Sequence, residues 1–259
     1  MACLVVLFLS ILSEVAVADK ISIGVVLSKD NPEYAGIEQA VKESKKIFIL
    51  KTEAKYSPKC DDIEQLLKEL NEAKAKVLIF NGEGAHCIIT PDQKALLVLL
   101  PTTKDADHQK HEPQMVVLPS SFPMKKGYIE EMKEKIQSSG RAACKSYKPY
   151  FITTILLKAI TILLDEKADL DSIKVKVREK LQQFKVVRVP LAPFYKDSGN
   201  TEKPDDLLEK GIPVLEDRTE QSGSLIKVKL LENTKKFKLG DQVWIHKELV
   251  VNFFPSPEK

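Results

Sequence analysis

From residue 21 onward the chain alternates short apolar runs with amphipathic stretches. Ile21-Ser-Ile-Gly-Val-Val-Leu27 reads as a buried strand. Residues 32–46 have helical spacing, with Tyr34, Ile37, Ala40 and Val41 on one face. Residues 47–50 predict a second strand. A helix is expected over Asp61–Ala73. Asp61 and Asp62 suit its first turn, where the dipole favours anions, and Ile63, Leu66, Leu67 and Leu70 form its apolar stripe. Val77–Phe80, Leu96–Leu100 and Met115–Leu118 predict three further strands, ended by Asn81-Gly82, Pro101 and Pro119. Strands and helices alternating at this spacing predict an α/β fold, a parallel sheet flanked by helices. Such sheets gather ligands at the carboxyl ends of their strands. The loops of interest are therefore 28–32, 81–87, 102–107 and 120–123.

The second half has another rhythm. Residues 125–137 predict a charged helix, 147–164 a long apolar one and 170–184 a third. Pro149 is expected near the start of the long helix, where proline is tolerated. Lys158 interrupts its apolar run, which argues for burial in the protein rather than in lipid. Strands return at 186–189, 225–231 and 242–254, and Gly and Pro punctuate 199–213. The expected organisation is an α/β lobe over 19–122, a helical segment over 123–204 and a β-rich C-terminal piece over 205–259.

Residues 1–18 do not belong to this pattern. Met1–Leu12 is apolar, shorter than the roughly 20 residues of a membrane span, and Ala16-Val17-Ala18 reads as a small-x-small cleavage site. A signal peptide is expected, although no Lys or Arg precedes its apolar core; an uncleaved anchor is the alternative. The protein is then periplasmic or secreted. The 40 basic and 37 acidic residues leave a net charge of +3. They are interspersed, with no basic run interleaved with aromatics, which argues against a nucleic-acid partner.

Cys60, Cys87 and Cys144 remain in the mature chain, so one pair can bridge in an oxidising compartment; the sequence itself does not choose the pair. His108 and His111, near Asp105, Asp107 and Glu112, occupy a polar segment ending at Pro113. Two histidines three apart need a helix to share a face, so no designed metal site is expected there. No nucleophile elbow, P-loop, dinucleotide fingerprint or zinc-protease motif occurs. No enzyme and no cofactor are expected.

Several segments in order resemble one family. They are Tyr34-Ala-Gly-Ile-Glu-Gln-Ala-Val41, Lys59-Cys-Asp-Asp62, Lys76–Gly82 leading to Cys87, and Ala95-Leu-Leu-Val-Leu-Leu-Pro-Thr-Thr103. Together they resemble the first lobe of the branched-chain amino-acid-binding proteins of bacterial uptake systems, the type I periplasmic binding fold. Tyr147–Asp165 is similar to a late helix of that family's second lobe, and Val186–Asn200 to its Gly-Pro-Leu strand and Asp-x-Gly turn. The resemblance covers roughly 21–120 and 125–200. It implies a Cys60–Cys87 disulfide, which in the loop-entropy view would stabilise the fold by about 3–4 kcal/mol. It also implies ligand contacts at Thr102 and Thr103; Glu83 could reach an ammonium group.

The function implied is capture of an amino acid or similar small ligand and its delivery to a membrane ABC permease. Three departures weigh against that. The chain lacks most of a second lobe, between about Ser121 and Gly127. Ile88 stands where the family has a ligand-holding Ser. The last 55 or so residues have no counterpart. The alternative expectation is an exported, non-enzymatic interaction scaffold that has lost its ligand cleft. In that reading Trp244 and Phe253-Phe254 are either partner anchors or core of the C-terminal piece.

Overall fold

The computed structural model describes residues 21–27, 30–44, 48–50, 76–81, 95–100, 115–119 and 121–254, together with residues 65, 68, 69 and 72. Five strands, β1 (Ile21–Val26), β2 (Phe48–Leu50), β3 (Val77–Asn81), β4 (Leu96–Leu100) and β5 (Met115–Val117), form a sheet in the order β2-β1-β3-β4-β5. Every neighbouring pair is parallel. Ile23, Val25, Ile79 and Val98 point into the main core, while Leu78, Phe80 and Leu97 are buried on the opposite side. Burial on both faces is why these strands read as unbroken apolar runs. Gln65, Lys68, Glu69 and Glu72 are helical, within the helix expected over 61–73.

Helix α1 (Pro32–Glu43) starts at Asn31, whose side chain accepts from the Glu33 amide. Its expected stripe of Tyr34, Ile37, Ala40 and Val41 is buried. After β5 the chain passes through residues 118–127 into α2 (Tyr128–Ile136), α3 (Gly140–Asp165) and α4 (Leu170–Gln182). These helices share one hydrophobic core with the parallel sheet. Helix α3 begins seven residues before the expected start, because Ser139 caps it by accepting from the Ala142 amide. Pro149 consequently sits inside the helix. It deprives the Lys145 carbonyl of its helical donor.

Helices α1 and α3 touch at Gly36. A Cβ there would lie 2.1 Å from the Ser146 carbonyl oxygen. Ser146, itself fully buried, donates to the carbonyls of Pro32 and Ala142. A polar cluster ties α2 to the same pair. Tyr150 donates to Glu43 at 2.6 Å, and Lys135 lies 3.0 Å from the other Glu43 oxygen and also donates to Tyr150. Burial pushes the Tyr150 hydroxyl up to about 12, reinforced by the Glu43 charge. Burial also raises the Glu43 carboxyl, but hydrogen bonds from Tyr150, Gln39 and Lys135 outweigh it and hold the group below its usual range.

Seven strands follow in a second, antiparallel sheet: β6 (Phe184–Val187), β7 (Leu191–Tyr195), β8 (Asp206–Glu209), β9 (Pro213–Ser222), β10 (Leu225–Leu230), β11 (Gln242–His246) and β12 (Val250–Asn252). Their order is β12-β6-β9-β10-β11-β7-β8. All seven contribute to one interior, for instance Val187, Phe194, Leu208, Val214, Val228, Ile245 and Val250, so the sheet curls around its own core. The antiparallel sheet therefore begins at Phe184, close to the strand expected over 186–189 and ahead of the β-rich piece expected over 205–259. The segment 123–204 divides into helices that cover the parallel sheet and strands that open the second one.

Strands β7, β8 and β9 fall where no strand was read. Pro193 interrupts the pattern of β7, and the outer half of β9 is exposed and charged. Pairing explains both. Pro193 lies opposite Leu207, where β7 needs no donor from it, and β9 is held by β10 through a hairpin that turns at Gly223-Ser224.

Strands β6 and β12 form the wall between the two cores. Phe184 and Val186 face the helices while Val187 faces the curl, and Phe253 and Val250 divide in the same way. Phe253 meets Phe122 and Phe151 with ring centroids 6.0 and 6.2 Å away. Lys158 of α3 donates to the Leu231 carbonyl at 3.1 Å, and its burial holds the ammonium below its usual range. Helix α3 packs against α1, α2 and α4 and is buried in the core they share with the parallel sheet, which explains why it is so largely apolar. By length and apolarity it passes as a membrane span, yet 67% of that stretch is buried within the fold. Packing on both sides decides its place, more than the single Lys158.

Candidate functional site

The ligand residues expected at the strand ends, Thr102, Thr103 and Glu83, lie outside the described residues. So do Cys60, Cys87, His108 and His111. What the structure does place are the neighbouring strands that carry those loops. β1 and β3 lie side by side, as do β3 and β4. Cys144 is an exposed free thiol on α3, with Sγ 3.9 Å from the Tyr128 hydroxyl. Among the described residues no group of three or more His, Cys, Asp or Glu gathers as metal ligands would.

The three aromatics considered as anchors separate. Phe253 and Phe254 are buried in the main core. Trp244 belongs to neither core and is half-buried. In Gln242-Val-Trp-Ile-His246, Val243 and Ile245 point into the curl, so the pleat sends Trp244 outward. Cross-strand register then builds a row on the outer side: Asp217 of β9, Lys227 of β10, Trp244 of β11 and Tyr195 of β7. The Lys227 ammonium stands 5.8 Å from the centre of the indole ring and pairs with Glu220 at 2.8 Å.

His246 borders this row. Its ring meets Tyr195 edge-on at 5.9 Å. Its Nδ1 lies 3.0 Å from the Ser224 hydroxyl and 3.6 Å from a Glu248 oxygen. The Asp217 carboxylate accepts from both the hydroxyl and the amide of Thr219, which holds it below the usual carboxylate range. Farther along, β8 is an edge strand bearing Leu207, 44% exposed, and Leu191 on β7 is 55% exposed. A cleft of about 540 Å³ runs beside them, bounded by Lys125, Glu209 and Glu232.

This face carries the half-buried Trp244 ring with cationic, anionic and imidazole groups around it. It holds groups for recognition by stacking and hydrogen bonding. The sequence leaves Trp244 open between partner anchor and core, and it does not single out Lys227. Tyr195 and Asp217 escaped notice because β7 and β9 were not read as strands. Compared with protein-family models, with curated proteins and with solved structures, the chain matches none.

Proposed function

We propose that this protein is an exported, non-enzymatic interaction scaffold. It would keep the first lobe of a type I periplasmic binding fold, and the open face around Trp244 would make the contact. One observation carries the reading: the Trp244 ring stands outside both cores, half-buried, in a cross-strand row with Asp217, Lys227 and Tyr195. The connection after β5 supports it. The next element after β5 is α2, and α2 to α4 share one core with the parallel sheet. Among the described residues no second parallel sheet stands opposite the first.

Solute capture for ABC uptake is the second reading. The strand order favours it, since β1 and β3 are adjacent at the point where the order reverses, and open α/β sheets hold ligands there.

A thermal-shift screen of residues 19–259 against the twenty amino acids separates the two. The scaffold predicts no shift. A ligand at a hundredfold its dissociation constant would add about 2.7 kcal/mol of stability. Such a shift, lost in Thr102→Ala/Thr103→Ala, would reinstate uptake. A photo-crosslinking side chain at position 244, introduced in the producing cell, should trap one discrete partner that the same group at position 254 does not. Equal trapping at both positions, or none at 244, would remove the scaffold reading.

A further inference from the structure

A second cavity lies at the opposite end of the parallel sheet from the expected amino-acid loops. Its volume is about 410 Å³, within the usual range for a small-molecule site. Ile21, Val77 and Leu96, at the amino ends of β1, β3 and β4, form one wall. Ile160 of α3 and Ile173 of α4 form the other. These five side chains are among the most buried in the protein, so the floor is rigid and apolar. The charged groups stand only at the border: Lys76 before β3, and Lys174 with Asp171 on α4.

We infer that this cavity binds a small aliphatic carboxylate, its hydrocarbon chain against the isoleucine, valine and leucine walls and its carboxylate between Lys76 and Lys174. The border carries two cations and one anion, and the anion is poorly placed to compete. Asp171 is 93% exposed and pairs with Lys174 at 3.4 Å within one helical turn, an arrangement worth little in water. Lys174 is only 32% exposed, so its side chain is held closer to the protein than that of Asp171. A carboxylate that brings apolar surface with it gains both the cations and the dry wall. An amine meets two like charges, and a zwitterion meets one attraction and one repulsion. The inference concerns a different end of the fold from Trp244 and does not rest on the scaffold reading.

Calorimetric titration of the full chain with straight-chain acids tests it. Affinity should rise about fourfold per methylene from butanoate to octanoate, the gain expected for burying each group. Octylamine should bind at least tenfold more weakly than octanoate. The pair Lys76→Gln/Lys174→Gln should weaken octanoate at least tenfold, while Lys176→Gln, on the same helix but away from the cavity, should leave it unchanged. Both lysine sites lie at the border, and circular dichroism of the variants confirms that they fold. Absence of octanoate binding, octylamine binding equal to octanoate, or an unchanged affinity in the double variant would each overturn the assignment. Leucine binding as tightly as 4-methylpentanoate would overturn it as well, because it would put an ammonium group in favourable contact with Asp171.

Discussion

The outer side of the antiparallel sheet is two surfaces. At β6 and β12 it presents Phe184, Val186, Val251 and Phe253, all packed against the helical core. At β10, β11 and β7 it presents Lys227 and Trp244, both half-buried, and Tyr195, which is buried against the His246 ring; none of the three belongs to the helical core. The pleat is the same and the residues alternate in the same way; what differs is the neighbour. Where α3 lies alongside, the outward positions are aliphatic and phenyl. Where nothing does, they are amphipathic aromatics edged with charge. Apolar rings without a polar group serve a dry contact, whereas Trp and Tyr suit one that stays partly wet. The contrast teaches that aromatic content alone says little about an interface: Phe253 is packed in the main core, while Trp244 stands outside both cores.

The largest expected effect falls on the buried half. Phe253 is 1% exposed and closes the aromatic group with Phe122 and Phe151. Truncation to Ala removes most of that contact and leaves a cavity where two sheets and a helix meet. Phe253→Ala should lower the unfolding free energy by about 3–5 kcal/mol, read from urea denaturation followed by circular dichroism. A loss below about 1 kcal/mol would mean that the second sheet does not lean on α3 as described.

A smaller effect tests the helices that make that support. Gly in a helix interior ordinarily costs about 0.5–1 kcal/mol relative to Ala, so Gly→Ala usually stabilises. At Gly36 the sign should reverse. The new methyl would lie 2.1 Å from the Ser146 carbonyl oxygen, a backbone atom that cannot move without shifting α3. Gly36→Ala should destabilise by about 1–3 kcal/mol, as overpacking does. A more stable variant would show that α1 and α3 are free to separate, and with them the supported half of the comparison.

How much of this was legible depended on which physical signal each part carries. Strands buried on both faces leave apolar runs, so β1, β3, β4 and β5 were read to within a residue or two. Helix α1 announced itself by its apolar stripe, though not its Asn31 cap. The start of α3 did not, because Gly140–Ser146 is mostly small or polar and is held by contacts with α1 that no local pattern encodes. Strands β7 to β9 were obscured by Pro193 and by a charged hairpin arm, whose strand character comes from pairing partners distant in sequence. The open face shows the same division. Trp244 stood out in the sequence as anchor or core; its outward direction and the row it joins appear only once β9, β10, β11 and β7 are in register. The loops bearing Thr102, Thr103 and Glu83 rest on a resemblance, and they lie outside the described residues.

The smallest expected effect on stability is at the open half, and its smallness is the point. Trp244 contributes to neither core, so Trp244→Ala should change the unfolding free energy by less than about 1 kcal/mol, near the range of surface substitutions. Trp244 is the only tryptophan in the chain, so unfolding of this variant must be followed by circular dichroism. In the unmodified protein the same fact is an advantage, since any change in tryptophan emission reports on this face alone. A side chain this large that stability does not need has to be explained by what it touches from outside. If Trp244→Ala instead cost as much as Phe253→Ala, the residue would be structural. The two halves of the sheet would then be alike, and the contact surface would have to be sought elsewhere, at the cleft beside Leu191 and Leu207 or at the strand ends of the parallel sheet.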